Sequence, residues 1–211
     1  MIKKLIFLVI LTSLALTISC GDKKTTKKSN SNSNAEVKTG VVPIADAEIA
    51  VIEMEQPAFG TIKIELYSNI APKMVERFKE LAREGYYNGI AFHRINQVVI
   101  QAGDSYTKIG TTPVVGKEGD SGKPDVVAEF SDIPYDTGIL GAARLATDVN
   151  SANSQFFIML KREAQFDKKY TIFGKVIEGM GNITTISGVQ PKEGERPIEA
   201  VRIKSVTIQP K

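Results

Sequence analysis

Phe92-His93-Arg94-Ile95, followed within ten residues by Gln101-Ala102-Gly103-Asp104, is the stretch from which the rest of this chain is read. An arginine between Phe92 and Ile95, in β-branched and aromatic company, reads as a strand residue facing a site rather than as a turn charge. Further out, Ser154-Gln155-Phe156-Phe157-Ile158 and Tyr170-Thr171-Ile172-Phe173-Gly174 carry amide and aromatic side chains on two more strand-like segments. Phe92 and Phe156 are expected in the core, turned away from Arg94 and Phe157 on their strands.

The flanks extend this pattern. Residues 48–55 have strand character through Ile49 and Val51. Gln56-Pro57-Ala58-Phe59-Gly60 makes a turn, and Thr61-Ile62-Lys63-Ile64-Glu65-Leu66 alternates at period two, which predicts a hairpin with Ile62, Ile64 and Leu66 on the core face. Ala71-Pro72 opens a helix, with proline near the first helical position, where its missing N–H is no loss. Met74, Val75, Phe78, Leu81 and Ala82 recur at three- and four-residue spacing and form one apolar stripe, and Gly85 ends the helix. Residues 126–130, 138–144, 155–160, 171–177 and 200–208 read as further strands, and a short second helix begins at Gly179-Met180-Gly181-Asn182-Ile183. Many strands and few helices predict a mainly β fold, a closed antiparallel barrel.

Composition excludes several function classes. Of 211 residues, 42% are hydrophobic and 24% charged, enough for one good core. A net charge of +3 is too small to argue for nucleic acid, and without tryptophan no stacking platform stands out. A single cysteine excludes an internal disulfide, and with a single histidine it excludes the usual zinc ligand sets, so no metal site is expected. Gly119 to Lys123 invites a phosphate-loop reading, but the spacing fails and Pro124 occupies the hydroxyl position.

The N-terminal residues are not part of that core. Residues 1–20 read as a signal peptide: Lys3 and Lys4 make a basic start, residues 5–16 are apolar, and small or polar residues lead to Cys20. The apolar run falls short of the roughly 20 residues a spanning helix needs. Cys20 at that place resembles the lipidated cysteine of bacterial lipoprotein signals, although Thr17 stands where leucine is usual. Residues 21–45 read as a disordered polar linker, because its lysines and the Ser29–Asn34 alternation offer nothing apolar to offset ordering entropy. The expected location is the cell envelope, either periplasmic or held to a membrane by the N-terminal lipid, with residues 46–211 as the folded domain.

Tyr86-Tyr87-Asn88-Gly89, Phe92-His93-Arg94, Gln101-Ala102-Gly103-Asp104, Ser154-Gln155-Phe156-Phe157 and Phe173-Gly174 occur in the order, and near the spacings, of the cyclophilins. The chain therefore resembles these peptidyl-prolyl cis-trans isomerases over about residues 48–209. The resemblance implies an eight-stranded barrel capped by two helices. It also implies an enzyme without a cofactor that isomerises X–Pro bonds in polypeptide clients and assists their folding. The signal peptide, not the resemblance, places those clients outside the cytoplasm, and a monomer is expected. By the same resemblance Arg94 donates toward the prolyl amide, and Gln101 binds substrate backbone and orients Arg94. Phe157 floors the proline pocket, Phe166 and Tyr170 wall it, Gln155 lines the neighbouring groove, and Ala143 pairs with the substrate strand.

Chemistry fits those assignments. Rotation about a peptide bond faces a barrier of about 18–20 kcal/mol, and X–Pro exchange takes tens to hundreds of seconds uncatalysed. A catalyst must hold the ring, twist the amide and favour a pyramidal nitrogen, and an always-charged planar guanidinium suits that task. Alone, Arg94 would read as a salt-bridged strand charge; beside Gln101, Gln155 and Phe157 it reads as catalytic. His93 reads as a satisfied core histidine, since rotation requires no proton transfer. The segment from Ile95 to Ile100 is one residue shorter than usual, so Val98 and Val99 fall where phenylalanine and methionine line the pocket. A groove altered in this way could also serve a peptide-binding module, but binding alone does not need Arg94 and Gln101.

Overall fold

Alternation at period two forms the first hairpin. β2 (Glu48–Met54) pairs antiparallel with β3 (Thr61–Leu66), Ile52 opposite Ile62 and Ala50 opposite Ile64, with Ile62, Ile64 and Leu66 fully buried. A computed structural model describes residues 35–111, 119–189 and 193–211. The expected signal peptide, Cys20 and most of the expected linker lie outside the described residues.

The barrel is assembled from β2, β3, β4 (Ala91–Phe92), β5 (Arg94–Ile95), β6 (Val99–Ala102), β8 (Ile139–Ala142), β9 (Phe156–Met159), β10 (Ile172–Glu178) and β11 (Val201–Pro210). Their order is β4-β11-β2-β3-β10-β8-β9-β6-β5, every pair antiparallel. The two ends of that order are neighbours in the chain, separated only by His93. Counted as one strand broken at His93, the nine segments become the eight strands expected, and the sheet closes on itself. Closure removes the exposed edges that an open sheet would present. The break also sets the faces: in an unbroken strand Phe92 and Arg94, two residues apart, would point the same way. Instead Phe92 is buried and Arg94 is exposed.

α1 (Pro72–Arg83) buries Met74, Val75, Phe78, Leu81 and Ala82, the whole expected stripe. Phe78 lies among Tyr87, Phe156 and Phe173, with ring centroids 5.2, 5.5 and 5.4 Å away. A side chain so buried contributes about 1.5–3 kcal/mol relative to exposure. At the C-terminal end Gly85, at φ +67°, completes a Schellman turn in which Gly85 N–H donates to Ala82 and Tyr86 N–H to Leu81. The N-terminal end has no side-chain cap of its own, since Ala71 precedes Pro72. Buried Glu129 does that work from a distance, accepting from Lys73 N–H at 3.3 Å and Met74 N–H at 3.1 Å. α2 (Met180–Ser187) buries Ile183 and Ile186 in the same core.

Two expectations need correction. Residues 126–130 do not form a strand: a bridge from Val126 to Ala152 and the short β7 (Phe130–Ser131) stand there instead. The backbone donors of the segment are taken by side chains, Ala128 N–H by Asn150 and Glu129 N–H by Thr171, so no ladder can run through it. The linker also ends earlier than residue 45. β1 (Val37–Lys38) pairs in parallel with β7, Lys38 Nζ donates to Ile70 O at 2.6 Å, and Asn69 bridges Val42 O and Ile44 N–H. Partners far along the chain order these residues, which their own polar composition would not do.

Removing the remote cap tests the helix account. Glu129→Ala leaves two helix N–H groups without their acceptor and should destabilise the domain by about 1–3 kcal/mol in urea unfolding. An unchanged midpoint would show that α1 does not depend on it.

Candidate active site

Strand register decides which side chains meet. Ile95, Ile100, Ile158 and Leu140 stand opposite one another across β5, β6, β9 and β8, and all four are buried in the main core. One residue along, Arg94, Gln101, Phe157 and Gly141 form the next row on the opposite face. Gly141 is the gap in that row. A Cβ there would come within 2.3 Å of the Phe157 ring, so the absence of a side chain lets the ring lie across β8.

That row opens on a cavity of about 410 Å³. Its apolar lining consists of Val99, Ala143, Leu145, Phe157, Phe166 and Tyr170. Phe157 sits edge-on to Phe166 and Tyr170, both with centroids 5.6 Å away, and stacks at 5.8 Å on the fully buried Tyr135. Burial pushes the Tyr135 hydroxyl well above its ordinary pKa, keeping this support neutral. These rings form a cluster distinct from the main core. Val98 is only half-buried; it packs against the cluster and does not join the cavity lining.

The polar side differs from expectation. Gln101 and Gln155 both line the cavity, and Gln101 Nε2 donates to Gln155 Oε1 at 2.9 Å while Gln155 Nε2 reaches Gly119 O at 3.4 Å. Arg94 lies opposite Gln101 in the strand pair, but its bond runs the other way, from Nε to Glu195 Oε2 at 2.5 Å. Asn96 Nδ2 holds the second oxygen of that carboxylate at 3.0 Å. The hydrogen bond from Arg94, then that from Asn96, keeps the Glu195 carboxyl below the usual carboxylate range against the opposing effect of burial. The contact expected to orient Arg94 thus comes from Glu195 and not from the Gln101 amide. No local signal marks Glu195, which follows Gly194 in a turn far from Arg94 in sequence.

Arg144 also belongs to the rim. Its guanidinium lies 4.6 Å from the Tyr170 ring centroid and donates to Leu145 O and Lys169 O, linking the two loops beside the cavity. His93 is buried beside that row, as expected of a core residue. Among the described residues no group of three His, Cys, Asp or Glu is placed to hold a metal ion. The arrangement can accept a small apolar ring against Phe157 while presenting fixed N–H donors to a polar group beside it.

Comparison with known proteins agrees with this geometry. The family model described as cyclophilin type peptidyl-prolyl cis-trans isomerase/CLD matches residues 50–208. The mouse peptidyl-prolyl cis-trans isomerase-like 1 is 39% identical over 151 residues, covering 70% of this chain and 86% of that protein. A probable peptidyl-prolyl cis-trans isomerase of Brucella suis is 41% identical over 138 residues, covering 60% of this chain and 66% of that one. The crystal structure of a Cryptosporidium parvum cyclophilin type peptidyl-prolyl cis-trans isomerase, determined in the presence of the dipeptide Ala-Pro, superposes with a TM-score of 0.66. It shares 28% identity, and the match covers 77% of this chain and 99% of that one.

The gap at Gly141 is open to test. Gly141→Ala should displace the Phe157 ring and destabilise the domain by about 1–3 kcal/mol, the usual range for overpacking. A crystal structure of the variant with the ring unmoved, together with an unchanged urea midpoint, would contradict the close approach.

Proposed function

This chain belongs to the cyclophilin-type peptidyl-prolyl cis-trans isomerases and is such an enzyme, and from that premise we propose how its residues divide the work. The proline ring of the substrate lies over Phe157, between Phe166, Tyr170 and Val99. The Ala143 N–H is engaged by Gln155 O, so Ala143 offers the substrate strand its carbonyl. Gln101 and Gln155, joined to each other, face the substrate backbone. Arg94 donates through its outer nitrogens, since Nε is engaged by Glu195. In the twisted state the amide nitrogen is pyramidal and its lone pair localised, and a donor fixed beside it stabilises that state more than the planar one.

The observation that carries this reading is the register row, with the Arg94, Gln101 and Phe157 side chains adjacent on one face around the cavity. Removing Arg94 should cost about 3–4 kcal/mol of transition-state stabilisation, roughly 10²–10³ in rate. In a protease-coupled assay on a proline peptide, Arg94→Ala should lower kcat and kcat/KM together. Arg94→Lys keeps the charge but not the planar fork, and should recover little. Near-normal turnover by folded Arg94→Ala would overturn the assignment.

We further propose that the enzyme works outside the cytoplasm on proline-containing clients and assists their folding, anchored by lipid on Cys20. Support comes from the sequence: a basic start, a short apolar run, a cysteine, then a polar tether. Two or more acyl chains would hold it stably where one would be marginal. Cys20→Ser should release the protein to the soluble fraction or leave it unprocessed. Unchanged membrane partition, with no lipid mass on the N-terminal peptide, would rule the anchor out.

A further inference from the structure

We propose that Glu195 is a positioning residue for the isomerase, fixing the Arg94 guanidinium through Nε so that its outer N–H groups face the cavity. This rests on the reading of Arg94 given above.

Several features of the turn point to that role. Glu195 adopts φ +69°, a conformation that side-chain-bearing residues rarely take, so the chain holds this glutamate in an unfavourable backbone region. What the placement gains is geometry. One carboxylate oxygen takes Arg94 Nε and the other takes Asn96 Nδ2. Asn96 is itself fixed: its Oδ1 accepts from both Val98 N–H and Val99 N–H, organising the short turn between β5 and β6. The clamp is therefore built into the connection that is one residue shorter than the cyclophilin pattern. Arg94 and Glu195 keep 45% and 42% of their side-chain surface exposed, and an ion pair so wet adds little to stability. Its effect is on the direction of the guanidinium. With Nε held, rotation about the last side-chain bonds is restricted, and because Arg94 lines the cavity its Nη groups are left for a ligand there.

Two readouts on the purified full chain test this. The first is kinetic, with Glu195→Ala, Glu195→Gln, Arg94→Ala and the Arg94→Ala/Glu195→Ala double variant. Glu195→Ala should lower kcat about tenfold with KM little changed, and the same change should have almost no effect once Arg94 is gone. Glu195→Gln keeps an acceptor for Nε and should recover part of the loss. The second readout is the Arg94 Nε–H resonance in ¹⁵N NMR, which should move and exchange faster in Glu195→Ala but less so in Glu195→Gln. Unchanged or faster turnover in Glu195→Ala, an unmoved Nε–H, or an equal loss with and without Arg94 would each overturn the proposal. If Arg94→Ala itself turns over normally, the catalytic reading fails and this one falls with it. If Arg94→Ala is impaired and Glu195→Ala is not, only the positioning role fails.

Discussion

The constraint on which everything else rests is pairing register across β5, β6, β9 and β8. Ile95, Ile100, Ile158 and Leu140 face inward, and the next row places Arg94, Gln101, Phe157 and Gly141 outward. Because side chains alternate with period two, a slip of one residue in any strand would exchange a core residue for a site residue. The packing that excludes water from the barrel thus also aligns the chemistry. Closure through residues 91–95 makes the constraint global, since that run pairs with β11 on one side and β6 on the other.

Site and core are nonetheless packed separately. Phe156 lies with Phe78 and Phe92 in the main core, whereas its neighbour Phe157 lies with Tyr135, Phe166 and Tyr170. Those last three come from loops between strands, and aromatic contacts at these distances contribute about 0.5–1.5 kcal/mol each beyond area burial. The floor of the cavity is therefore rigid on its strand, while its walls are carried by loops that can vary in sequence without disturbing the barrel.

Much of this could be read from the chain because the signals were local. The 61–66 alternation, the stripe of α1 and Gly85 as its stop each depend on residues within a few positions of one another. The motif order then supplied site roles through resemblance. What could not be read depends on distant partners. Residues 37–44 are ordered by Phe130, Ile70 and Asn69; the start of α1 is capped by Glu129; Arg94 is held by Glu195. Phe92 was expected to face away from Arg94, but two residues apart on an unbroken strand they would share a face; the break at His93 that separates them is signalled by no propensity. Residues 126–130 look β-forming, but Asn150 and Thr171 take the N–H groups a ladder would use.

The pairing of β2 with β11 has a consequence for time rather than for space. β2 lies between β3 and β11, with Val51 opposite Thr207. A nascent chain completes its first hairpin early, then must wait while roughly 140 residues follow at about 5–20 per second, some 7–28 s, before the sheet can close. Throughout that interval β2 has one unpaired edge, and the apolar faces of β2, β3 and α1 have no lid. A message truncated anywhere before residue 201 would yield an open, adhesive sheet instead of a smaller isomerase. The enzyme that hastens rotation in other chains is itself a late-closing fold, because β11 (Val201–Pro210) must be made before its sheet can close.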